Sequence, residues 1–195
     1  NADSPASPAA RLAFYGLATY QANQAAFDAG VRITTPITSD SNGNLYFGFR
    51  VSGTLPIALQ SGLARIDRNG AGSWVDAATA AADPSIRKVV YNCAPAITAN
   101  GASLYVTVNS TNSSGGSGGY LLKLDATTLA MQARVRLMDV ATPSNDAYLH
   151  DDGTASPTIG PDSEVYIGVL ENPFRGNHLR GWLRHFDAHL ATSIP

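Results

Sequence analysis

Two stretches of the chain, 145–156 and 170–181, hold most of the polar residues whose types and spacing suit chemistry. His150, Asp151 and Asp152 stand in a row. An imidazole beside two carboxylates can work as an acid–base pair or contribute to a metal ligand set. The same run leads into Gly153 and is also an ordinary turn sequence ahead of a strand. Glu171, Arg175, His178 and Arg180 form the second group, read as binding residues. Its two guanidiniums can clamp an anion, and the competing reading is a pair of solvated loop arginines.

Other constellations fail on spacing. His185 and His189 sit four apart, which converges on a helix face, but they straddle the end of an expected strand. No metal site is assigned. Asp40, Asn42 and Asn44 mimic the start of a calcium loop, yet Gly43 falls at the fourth position and no Glu follows at the twelfth. No serine has a Gly-x-Ser-x-Gly context. The run from Gly115 to Gly119 lacks the Lys-Ser/Thr of a phosphate loop and reads as a flexible connector. Cys93 is the sole cysteine, so no internal disulfide or thiolate cluster can form, and it reads as a small buried hydrophobe.

Composition narrows the classes. The 195 residues carry 13 Lys+Arg against 15 Asp+Glu, a net charge of −2, which leaves no basic excess for a phosphate backbone. A nucleic-acid partner is not expected. No apolar run reaches the roughly 18–20 residues of a membrane span. Hydrophobic residues make up 44%, too many and too evenly spread for a disordered chain. The opening from Asn1 to Pro8 resembles the spacer left after a signal segment is removed. Arginines far outnumber the two lysines, Lys88 and Lys123, and Ala, Thr, Ser and Asn abound. The expectation is an exported bacterial protein, secreted or periplasmic.

The elements that must position the polar residues repeat. Tyr46, Tyr105 and Tyr166 lie 59 and 61 residues apart. Each closes a Pro-x-(x)-turn-x-Tyr hairpin: Pro36 to Phe49, Pro95 to Val108, Pro157 to Val169. A third apolar run then ends in Asp67, Asp125 or Asp187, a recurrence that points to capping of the following turn. A fourth strand is expected near Gly72–Val75 and Gln132–Met138, with the third unit stopping short of its own. Leu12 to Leu17 could add a strand that closes the assembly, and Asp76 to Asp83 is Ala-rich but brief. The tyrosines and the two tryptophans, Trp74 and Trp182, read as packing residues.

Four antiparallel strands repeated about every 60 residues form a β-propeller blade. The fold class is therefore all-β, with about three blades in an incomplete ring: 34–90, 91–153 and 154–195, preceded by 1–33 as a lead-in segment or partial blade. Rings typically need about 4–8 blades, so the expected partners are remaining blades of the same protein or another chain. Within a blade, the loop entering the first strand and the loop joining the second to the third share one end, which brings 145–156 beside 170–181.

At the Pro-Ile, Leu-Tyr and terminal-Asp landmarks the chain resembles the quinoprotein-like (PQQ-type) β-propeller repeat family, over about residues 33–190. It also resembles bacterial exported propeller proteins of unassigned function over His150 to Leu190. The resemblance implies PQQ with calcium over a tryptophan floor, beside vicinal cysteines. A single cysteine offers no matching set, so PQQ is not supported by the residues present. The functional expectation is a binding or scaffold module that is part of a longer protein. The alternative is an enzyme: a hydrolase or lyase using His150, Asp151 and Asp152, or a quinoprotein-type dehydrogenase.

Overall fold

The computed structural model describes residues 11–111, 115–152, 156–174 and 180–193. The described residues are mostly β, with three larger antiparallel sheets and one two-stranded ribbon.

Sheet 1 comprises β1 (Val31–Ile33), β2 (Thr38–Ser39), β3 (Leu45–Val51), β4 (Gly62–Ile66) and β5 (Gly72–Asp76). Both β1 and β2 pair with β3, so they are two halves of one edge strand. The break falls at Pro36, which has no N–H to give the ladder. Thr35 fills the gap, its Oγ1 accepting from the Gly48 amide at 2.8 Å. Sheet 2 repeats the plan, with β6 (Lys88–Val89) and β7 (Ala96–Ile97) on either side of Pro95. They edge β8 (Ser103–Asn109), followed by β10 (Gly119–Asp125) and β11 (Met131–Arg136). Sheet 3 holds β13 (Thr158–Ile159), β14 (Val165–Leu170) and β15 (Gly181–Phe186). Ser193 bridges back to Phe186, where a fourth strand would begin.

The repeat survives at the level of register. Tyr46 faces Arg65, Tyr105 faces Lys123, and Tyr166 faces His185. The terminal aspartates cap their turns as their recurrence predicts. Asp67 accepts from the amides of Asn69 and Ala71, Asp125 from Thr127 and Thr128, Asp187 from His189, Ala191 and Thr192. Asp40 does the same in the first hairpin, accepting from the Asn42 and Asn44 amides.

Alternation along the strands sends side chains to two faces, and three cores result. Tyr46 and Leu63 of sheet 1 pack with Leu104, Val106 and Leu122 of sheet 2. Tyr105 and Leu121 on the other face of sheet 2 pack with Val165, Ile167 and Phe186 of sheet 3. Phe47, Phe49 and Ala64 on the far face of sheet 1 pack with Phe14.

That last contact corrects one expectation. Leu12 to Leu17 adds no strand. Gly16 adopts a φ of 99°, which ends any extended run, and α1 (Leu17–Ala22) and α2 (Gln24–Gly30) follow. The third helix, α3 (Ala77–Ala81), is capped by Asp76 accepting from the Thr79 amide at 2.8 Å. Among the described residues no helix is long and apolar enough to cross a membrane.

Candidate functional site

The segment Tyr148 to Asp152 is held from two sides. Tyr148 exchanges both backbone hydrogen bonds with Leu170, at 2.9 and 3.2 Å. The next residues, β12 (Leu149–His150), pair with β9 (Gly116–Ser117). The glycine run is therefore an ordered docking strand and not a flexible connector. Its small residues let the backbones meet: a Cβ on Gly116 would sit 2.9 Å from the Leu149 carbonyl oxygen.

Period-two alternation then sorts the side chains. Leu149 is buried in the core between sheets 2 and 3. Tyr148 and His150 turn the other way and line an open cleft of about 540 Å³ with Asp152, Asn172, Pro173 and Phe174. Tyr148 and Phe174 lie nearly parallel, centroids 6.4 Å apart. Asn172 is fixed by its side-chain amide donating to the Asp146 carbonyl at 3.0 Å, and by its own carbonyl accepting from Asn145 at 3.3 Å. The Asp152 amide donates to His150 Nδ1 at 3.1 Å.

Asp151 does not join the cleft. Its carboxylate is 2% exposed and meets Lys88 Nζ, 1% exposed, at 2.5 Å. The same carboxylate accepts from the Tyr91 and Gly115 amides, each at 3.0 Å. Burial pulls the Lys88 ammonium below the usual lysine range, against the opposing hydrogen bond and charge of Asp151. Lys88 also lies 3.7 Å from the centroid of the Tyr91 ring. Asn92 ties the same turn down, donating to the Asp151 carbonyl at 3.1 Å.

The two expected loops thus meet, but their residues divide. His150 and Asp152 reach the cleft. Glu171 is fully buried behind it, paired with Arg180 at 3.1 Å across the ends of the β14–β15 loop. Arg175 and His178 lie outside the described residues. His185 stacks on Tyr166 and meets Glu164 at 2.5 Å, on the far face of sheet 3. Among the described residues no three His, Cys, Asp or Glu side chains converge as a metal site. Sequence reasoning missed Lys88, Tyr148, Asn172 and Phe174. A lysine beside the apolar pair Val89-Val90 was the available signal for the first, and the two-residue offset from His150 for the second.

For the quinone cofactor the residues do not fit. Cys93 is a single buried thiol, pushed up to about 11 by burial. Trp182 packs between sheets 2 and 3, and Trp74, expected as packing, is 40% exposed beside Phe14.

No family model matches the chain. No curated protein matches it. Among solved structures, a luciferin-regenerating enzyme is similar at 14% identity and a TM-score of 0.42, over 85% of this chain and 47% of that one. The chain therefore spans about half the length of that enzyme.

Proposed function

We propose that this chain is part of an exported bacterial β-propeller whose role is binding, with the ligand seated in the cleft between Tyr148 and Phe174. Three meanders in chain order, stacked face to face in matching register, support the propeller. Further repeats of the same protein, or another chain, complete the ring. The arginine-rich, lysine-poor composition supports export to the periplasm or beyond.

One observation carries binding over catalysis. The buried acid of the His150-Asp151-Asp152 run is neutralised by Lys88 and two amides, so its lone pairs are spent on holding the loop. What faces the cleft is aromatic walls with a polar rim of His150, Asp152 and Asn172. Such a lining suits a small, polar, ring-bearing molecule, with stacking for affinity and the rim for orientation.

A thermal-shift screen of ring-bearing small molecules tests this. Stabilising compounds are expected, and Tyr148→Ala is expected to weaken their binding about tenfold or more, the loss of one aromatic contact of about 1.4 kcal/mol. Turnover of chromogenic esters, lactones or glycosides that disappears in His150→Ala would replace binding with the hydrolase alternative.

A further inference from the structure

Three leucines occupy one place in the repeat. Leu63 pairs with Gly48 in sheet 1, Leu121 with Thr107 in sheet 2, and Leu183 with Gly168 in sheet 3. Each stands two residues before the basic partner of the repeated tyrosine, on the same face of its sheet. Leu63 is 1% exposed and Leu121 0%, because the next sheet covers each. Leu183 is 72% exposed. Tyr166 follows the same trend, half-buried where Tyr46 and Tyr105 are covered.

The covered joint between sheets 2 and 3 also has a polar latch. Tyr105 Oη and Lys123 Nζ both donate to the Ala188 carbonyl in the turn after β15, at 2.6 and 2.9 Å. The face that carries the leucine and the tyrosine is therefore the face on which the following sheet lies.

We infer that the outer face of sheet 3 is covered by a fourth sheet of the same repeat, belonging to the same polypeptide, with Leu183 beneath it. The inference rests on the propeller reading above and names the surface through which the ring continues. Continuity is the argument: two successive joints use this face, and the third instance is bare. A second copy arriving head to tail would use the same face, and the experiment below separates it from a sheet of the same polypeptide. Ser193 is bridged to Phe186, at the free edge of β15 where a fourth strand of sheet 3 would begin.

Thiol labelling of Leu183→Cys tests it, in the 195-residue chain and in the native polypeptide that contains it. Maleimide is the probe, and the rate in denaturant is the reference for each sample. The substitution lies at an exposed position, so both proteins are expected to fold, and buried Cys93 serves as an internal control. The 195-residue chain is expected to label near its unfolded rate. The native polypeptide is expected to label at least about a hundredfold slower, as a site that opens only by local unfolding does. Equal rates in the two proteins overturn the inference. So does protection that appears in the 195-residue chain only as it dimerises, because the occupant is then a second copy. The readout is independent of the cleft: a shielded Leu183 without ligand binding sinks the proposed function alone, and ligand binding with Leu183 open sinks this inference alone.

Discussion

Lys88 and Asp151 show how a residue that looks chemical in the sequence becomes structural in the fold. Two opposite charges, both nearly inaccessible, hold strand β6 to the turn after β12. Removing one partner strands the other without water. Asp151→Ala is expected to cost about 3–5 kcal/mol in urea unfolding. A cost below about 1 kcal/mol would return Asp151 to the list of groups spared for chemistry. Cys93 gives a second test at this scale. With its thiol pushed up to about 11 by burial, it is expected to ignore Ellman's reagent at pH 8 and to react once the chain unfolds. Asp125 sets a pH dependence. Hydrogen bonds, first from the Thr128 amide, hold its carboxyl below the usual aspartate range. Folding therefore favours the charged form. The stability it adds is present above about pH 4 and is lost as the pH falls through the lowered folded value. Asp125→Asn is expected to cost about 0.5–1.5 kcal/mol at pH 7 and to differ less from the parent as the pH drops below 4. A gap that is constant from pH 7 to pH 3 would contradict the capping role. The aspartates were legible because they recur at one place. Lys88 was not, because its partner lies 63 residues away and no local pattern links them.

At the scale of elements, the long strands were legible and the broken ones were only half so. Leu104 to Val108 reads as a strand from its β-branched and apolar run, and β8 extends it by one residue at each end. The halves before Pro36 and Pro95 escaped notice. They are three and two residues long, too short for alternation to register. Helices α1 and α2 were missed for a similar reason: their residues bury only Phe27 and Gly30, so no apolar stripe marks them. The glycine run was misread as slack. Gly116, Gly118 and Gly119 are small because backbones and side chains crowd them, and a Cβ on Gly119 would fall 1.9 Å from the Val108 carbonyl oxygen. Gly119→Ala is expected to destabilise the fold by about 1–3 kcal/mol, by strain between β8 and β10. A neutral effect in thermal unfolding would mean that the strand pair can spread at no cost.

At the largest scale, the described residues form a stack of three sheets whose shared faces are fixed by one repeated register. The sequence displayed that repeat through landmarks far apart in the chain, which is why the sheets, and the meeting of 145–156 with 170–181, could be anticipated. Which side chains line the cleft could not, because that depends on the alternation of the 148–152 segment where it docks on the glycine strand. Chemistry follows from the same geometry: the acid nearest the core is spent on cohesion, and the residues left facing solvent are suited to contact a ligand. The most direct test of this account is an experimental density map of the native polypeptide. It is predicted to show β2, β7 and β13 lying nearest a common axis, with a further sheet over Leu183. Sheets arranged instead as a closed sandwich, with Tyr46, Tyr105 and Tyr166 in dissimilar surroundings, would contradict it.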